Sequence, residues 1–165
     1  MEVIYMKRIS EVIQKKRELE GKLKVKININ GRNVSVEGDS INEYEAISIL
    51  EAINFGFSMS KALVLKDEDF VFRKIHIKDY TKRSLEDVKG RLIGKGGKTR
   101  KTFSEISGCE LIIKYSEVGV IGDVESVENT TRAITNVIRG SKQSNMYRYL
   151  EKMNRVKKEE DLGLK

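Results

Sequence analysis

The segment Gly90-Arg-Leu-Ile-Gly-Lys-Gly-Gly-Lys-Thr-Arg-Lys-Thr-Phe103 decides how the rest of the chain is read. Leu85, Val88, Leu92 and Ile93 stand at helical spacing before its glycines, and Phe103 and Ile106 follow at helical spacing after them. Two helices joined by the loop Gly94-Lys95-Gly96-Gly97 are therefore expected. Gly94 and Gly97 allow a sharp turn and a close approach to a ligand, since neither carries a Cβ. The second helix points its unpaired N–H groups at the loop, and its dipole favours an anion there. Between Lys89 and Lys101 lie six cations (Lys89, Arg91, Lys95, Lys98, Arg100, Lys101) and no acid. A phosphodiester backbone fits all of these properties.

The charge balance points the same way. The net charge is +7, but residues 1–70 carry 11 basic against 12 acidic side chains, and residues 71–165 carry 21 against 13. A positive field confined to one region attracts a polyanion. With 39% hydrophobic and 35% charged residues the chain has enough apolar content to fold. No apolar run approaches the roughly 18–20 residues that cross a membrane, and no leader pattern opens the chain, so an intracellular, cytoplasmic protein is expected. The single Cys109 excludes an internal disulfide and a cysteine zinc cluster, and the single His76 excludes a multi-histidine metal site. His76 alternates with Ile75 and Ile77 and is expected on the exposed face of a strand. Cys109 reads as a small buried hydrophobe. No metal, cofactor or catalytic residue is expected.

Outside the loop the chain repeats itself. In the first copy Gly21 precedes a strand with Val25, Ile27 and Ile29 on one face, Asn30-Gly31 makes a tight turn, and Val34 and Val36 continue as a second strand. Gly38-Asp39-Ser40 stops the sheet and supplies capping side chains. Ala46, Ile49, Leu50, Ile53 and Phe57 then mark the buried side of a helix. In the second copy Gly108 precedes Leu111, Ile112 and Ile113, Val118 and Val120 form the next strand, and Gly122-Asp123 is the stop. Val127, Thr131, Ile134 and Ile138 share a helical face. Gly21 pairs with Gly108 and Gly38 with Gly122 at nearly the same offset, as a duplication would leave them. Val71, Arg73, Ile75 and Ile77 read as the opening strand of the second copy, and Ser58–Leu65 as a short joining helix. Residues 145–158 form a basic helix with Met146, Tyr149, Leu150 and Met153 on one side, and a frayed tail is expected from Glu159.

Ile93-Gly94-Lys95-Gly96-Gly97-Lys98, followed by a helix, Gly108, two strands and a helix, resembles a K-homology (KH) domain with its GxxG loop, a clamp on four backbone nucleotides. The segments Gly90–Arg100 and Arg139–Glu151 resemble the second KH unit and C-terminal helix of the archaeal and eukaryotic Dim-two, or partner of Nob-one, family. That Krr-related family consists of small-subunit ribosome assembly factors. The resemblance implies an α+β fold with two tandem type I KH-like units, each a three-stranded antiparallel sheet packed on helices, plus a C-terminal helix. The boundaries expected are 1–66 for a degenerate unit without GxxG, 67–140 for the intact KH domain and 141–165 for the basic helix and tail. Counting back from Gly21 leaves room for one strand (Val3–Met6) and one helix (about Arg8–Glu20) where the second copy has two helices. The first unit is thus expected to serve packing or protein contact.

By the same resemblance the strand runs across the loop while bases enter a groove. That groove is walled by Leu92, Ile93 and Phe103 or their neighbours and by the strand Leu111–Lys114. Arg91, Gly94, Lys95, Gly96, Gly97, Lys98, Arg100 and Lys101 are the candidates for backbone contact, with Arg139 and Lys142 as outlying ones. Ile93, Ile112 and Lys114 are the groove candidates. Many KH domains have an apolar residue where Arg100 stands. The implied partners are single-stranded RNA near the 3′ end of small-subunit ribosomal RNA, the maturation endonuclease and the alpha subunit of translation initiation factor two. A general KH regulator and a protein scaffold with a vestigial loop are the competing readings. Gly97-Lys98-Thr99 matches only the end of a P-loop, because the required first glycine would fall on Leu92.

Overall fold

A computed structural model of the chain describes residues 2–163. It divides into two compact units between Phe72 and Arg73. The first contains β1 (Glu2–Tyr5), α1 (Ser10–Gln14), α2 (Lys16–Leu23), β2 (Lys26–Asn30), β3 (Asn33–Glu37), α3 (Ser40–Phe55) and α4 (Met59–Ala62). From the division onward the chain forms β4 (Phe70–His76, which opens just before it), α5 (Leu85–Ile93), α6 (Lys98–Ser107), β5 (Glu110–Lys114), β6 (Glu117–Asp123), α7 (Val124–Arg139) and α8 (Gln143–Asp161). Each unit has a three-stranded antiparallel sheet, in the orders β1-β3-β2 and β4-β6-β5. The registers set Ile27 against Val36 and Leu111 against Val120. All four are buried and form the helix-covered faces predicted from the alternation.

The repeat is more regular than the glycine spacing implies. From the end of the second helix onward, every landmark recurs at the one offset that separates Gly38 from Gly122: β2 with β5, the helix caps Asp39 and Asp123, and the terminal glycines Gly56 and Gly140. Gly21 is not the counterpart of Gly108. It lies inside α2, and the residue in the left-handed conformation that ends α2 is Lys24 (φ 56°), which matches Gly108 (φ 73°). Asn30 pairs with Asn33, so the hairpin loop is Gly31-Arg32. Gly31 and its counterpart Tyr115 both have positive φ.

One packing detail occurs in both copies. A Cβ on Gly38 would lie 3.0 Å from Val25 Cγ1, and one on Gly122 would lie 2.6 Å from Cys109 Sγ. Val25 and Cys109 are themselves counterparts at the same offset. Each glycine lets the start of one strand press against the end of the next.

Upstream of the second helix the copies differ. From the end of its first strand to the end of its second helix, the second unit runs from His76 to Ser107, and the first runs only from Tyr5 to Leu23. The first unit nevertheless has two helices there, not one, because the chain leaves helical geometry for a single residue, Lys15 (φ −111°, ψ 21°). One lysine takes the place of the glycine loop.

Two further expectations need correction. Asp39 makes no side-chain cap, and Glu43 Oε1 instead accepts from the Gly38 N–H at 3.0 Å. On α7 Thr131 is only half-buried and Thr135 is buried, but the fully buried threonine is Thr130. Its hydroxyl lies 3.5 Å from Cys109 Sγ, and burial raises the Cys109 thiol pKa above its ordinary value.

The C-terminal helix belongs to the second unit. Tyr147 meets Phe103 edge-on at 4.9 Å, and Leu150 is buried. α8 extends through Glu159 to Asp161, and Lys157 Nζ lies 2.6 Å from the carboxylate of Asp123, the cap of α7. Leu164 and Lys165, at the end of the expected tail, lie outside the described residues.

Candidate nucleic-acid interface

The loop between α5 and α6 consists of backbone that other residues adopt poorly. Gly94 closes α5 at φ 75°, ψ 174°, and Gly96 and Gly97 follow at φ 62° and 79°. The three glycines are not equivalent. A Cβ on Gly94 would come within 2.7 Å of Thr99 N, in the first turn of α6, whereas nothing lies within 4 Å of a Cβ on Gly96 or Gly97. Gly94 is therefore a packing requirement that brings the two helix ends together. Gly96 and Gly97 keep the outer surface of the loop bare.

Gly97 caps α6 without a side chain, and no acid stands in the first turn of α6. The Lys98 N–H donates to the Lys95 carbonyl, and no side chain caps the N–H groups that follow it. Lys95, Lys98 and Lys101 are exposed around this point, and among the described residues none of them pairs with a carboxylate. The element before the loop is a helix, which a P-loop does not have.

The remaining site candidates separate by environment. Ile93, Ile112 and Lys114 are half-buried, with side chains partly accessible. Leu92 and Phe103 are each 1% exposed and belong to the core, so they do not wall a groove. Arg100 is half-buried on α6, and its Nη1 points at the Leu111 carbonyl at 3.4 Å, so it bridges the start of α6 to β5. Lys114 Nζ sits 5.4 Å from the centre of the Tyr115 ring at the hairpin tip. Tyr115 is exposed and holds φ 54°, a rare conformation for a bulky residue.

Arg91 is engaged elsewhere. Its Nη1 donates to the Val137 carbonyl at 3.0 Å and its Nη2 to the Ser141 carbonyl at 2.7 Å, neutralising the negative end of α7. Gln143 Nε2 donates back to the Arg91 carbonyl at 3.4 Å. This clamp fixes the entry to α8 against α5. Its partners lie 46 and 50 residues from Arg91, and no local pattern in the sequence signals them.

His76 is exposed on β4, as expected, with its Nε2 3.6 Å from Glu117. Burial alone would raise the Asp123 carboxyl, but hydrogen bonds from Lys157 and Ser126 hold its pKa below the ordinary value. Burial likewise acts to lower the pKa of Lys157, and Asp123 overrides it and holds the ammonium above its usual value. Among the described residues no group of three or more His, Cys, Asp or Glu side chains is placed to hold a metal, and no helix is long and apolar enough to cross a membrane.

The model of the second KH domain of PNO1, a eukaryotic type KH domain (KH-domain type I), matches residues 71–155. This span covers the second unit together with most of α8. The chain belongs to the PNO1 family of KH-domain proteins. A KH domain-containing protein of Methanocaldococcus jannaschii is 30% identical over 83% of this chain and 64% of its own length. The RNA-binding protein pno1 of Drosophila pseudoobscura is 30% identical over 76% of this chain and 57% of its own. The chain thus spans between half and two thirds of the curated family members it matches. The crystal structure of Dim2p from Pyrococcus horikoshii is 32% identical, with a TM-score of 0.83 over 92% of this chain and 98% of that one. The same family fold is found in a complex of a/eIF2alpha, aDim2p and rRNA from P. horikoshii, 32% identical with a TM-score of 0.82 over 92% of each chain.

Proposed function

We propose that this chain binds single-stranded RNA through the Gly94–Gly97 loop of its second unit. We further propose that it acts, without catalysing a reaction, in maturation of small-subunit ribosomal RNA near the 3′ end. The observation that carries the reading is the bare loop surface, with α6 N–H groups that no side chain caps and with Lys95, Lys98 and Lys101 exposed beside them. In this reading these three lysines and the N–H groups hold phosphates, while Ile93, Ile112 and Lys114 face the bases and Arg100 joins the two sides. Arg91 is a strut, not a ligand.

The pre-rRNA-processing names of relatives, such as pno1 of Emericella nidulans, support the biological role. The P. horikoshii complex supports the alpha subunit of translation initiation factor two as a partner. The family resemblance adds the maturation endonuclease, and we place the protein in the cytoplasm. The first unit, with Lys15 in place of a loop, is assigned to packing or protein contact.

The test is fluorescence anisotropy with a short strand from the 3′ end of small-subunit ribosomal RNA, a scrambled strand and a duplex. We expect preference for the ribosomal strand, lost in the Lys95→Asp/Gly96→Asp variant. About four phosphate contacts give a slope of log affinity against log salt near −3, at about −0.7 per contact. Equal affinity for all strands would reduce the protein to a general RNA binder. Binding that survives the loop change would remove the loop from the site.

A further inference from the structure

A second group of cations gathers away from the loop, where α7 ends and α8 begins. The Arg139 guanidinium lies 5.1 Å from the centre of the Tyr80 ring. Arg83, three residues beyond Tyr80, lies flat against Gly140, so that a Cβ there would come within 2.9 Å of its Nη2. Gly140 holds φ 119°, and its bare Cα is what admits the guanidinium. Lys142 follows, exposed, at the head of α8. Among the described residues no carboxylate pairs with Arg83, Arg139 or Lys142, although Asp79, Glu86 and Asp87 stand close in sequence.

Three positive groups held together without an acid repel one another. Surface guanidinium groups ordinarily relax into ion pairs or spread into solvent, but here Arg139 is held over an aromatic ring and Arg83 over a glycine. The corner is also rigidly joined to the loop. Arg91, in the last turn of α5 before Gly94, is hydrogen-bonded to the carbonyls of Val137 and Ser141, on either side of Gly140. α5 has nine residues and is therefore about 13 Å long, which sets the scale of separation between the two basic sites. Cations interleaved with an aromatic ring beside a strand-binding loop form a track for a single-stranded backbone.

We infer that Arg83, Arg139 and Lys142 form a second phosphate-binding station, which takes the RNA strand where it continues past the nucleotides held at the loop. This rests on the loop reading above. The station lengthens the footprint and contributes no base reading, so it adds affinity only for strands longer than the loop can cover.

The test compares full-length protein and the Arg83→Gln/Arg139→Gln variant on pyrimidine strands of four and about twelve nucleotides, by anisotropy across a salt series. The unmodified protein should bind the longer strand more tightly. The variant should match it on the four-mer and lose most of the gain on the longer strand. Its salt slope on the longer strand should be shallower by about 1.4, so the advantage of the unmodified protein shrinks about sevenfold between 50 and 200 mM salt. Lys142→Gln, at an exposed side chain, should make the slope shallower by about 0.7. This guards against a folding defect in the double variant. Unchanged length dependence and slope in both variants would overturn the station and leave the corner to an acidic protein or to solvent. Gly96→Asp separates the two sites. If it spares four-mer binding, the loop reading fails by itself; if the long-strand gain still disappears with Arg83 and Arg139, the station survives it.

Discussion

Replacing Arg91 by methionine keeps the aliphatic stem and removes both donors. The Val137 and Ser141 carbonyls, 3.0 and 2.7 Å from those donors, then lose a charged partner at the negative end of α7. A hydrogen bond to a charged group contributes about 1.5–3 kcal/mol. Arg91 is only half-buried, and water replaces part of what is lost, so the pair is set at about 2 kcal/mol. For a unit of this size 1 kcal/mol corresponds to about 4–8 °C, so the melting transition of the second unit should fall by roughly 10 °C. Lysine should not rescue it, because a point charge cannot span two carbonyls as the guanidinium fork does. Circular dichroism melts and urea titrations supply the stability, and anisotropy below the transition supplies RNA affinity. Affinity per folded molecule should stay within about twofold. A stability loss below about 0.5 kcal/mol with a tenfold fall in affinity would refute the strut and make Arg91 a phosphate ligand.

The loop glycines should respond unequally: Gly94→Ala forces a Cβ onto Thr99 N and should cost more than about 2 kcal/mol, while Gly96→Ala, in open space, should cost about 1 kcal/mol of left-handed strain. Chemical denaturation of the two variants checks the order. Gly122→Ala should destabilise by driving a methyl group against Cys109 Sγ, and Cys109→Ala in the same chain should recover part of the loss; a double-mutant cycle with no coupling would exclude the contact. The Lys157–Asp123 bridge, partly exposed, should contribute less than about 1 kcal/mol. The lowered Asp123 pKa makes its share present above the unfolded carboxyl value near 3.8 and lost as pH falls through the lower folded value. The raised Lys157 pKa makes its share present below about 10.5 and lost as pH rises through the higher folded value. Asp123→Asn should flatten both limbs of the stability–pH profile.

Much of this architecture is legible in the residues themselves. Ile27 and Ile29 opposite Val34 and Val36, and Leu111 opposite Val120, alternate with the period of a strand, and the cation-rich glycine segment announces its own helices. What escapes reading depends on geometry that residue type does not encode. Lys24 takes the left-handed position that a glycine usually takes, and the nearby Gly21 draws the register away from it. Lys15 breaks a helix with neither glycine nor proline to mark it. Thr130 and Thr131 differ only in which way the helix turns them. Arg91 belongs to a run of six cations and looks like its neighbours, and only contacts with carbonyls far along the chain give it a different task.

The docking of α8 also sets an order of events during synthesis. The chain leaves the ribosome amino end first, and domains fold as units as they emerge. The first unit has all its strands and helices once residue 72 is free. The second must wait for residues 143–161, because until then Phe103 lacks Tyr147, the carboxylate that caps α7 lacks Lys157, and the Gln143 end of the Arg91 clamp is missing. The glycine loop is therefore made before the scaffold that steadies it.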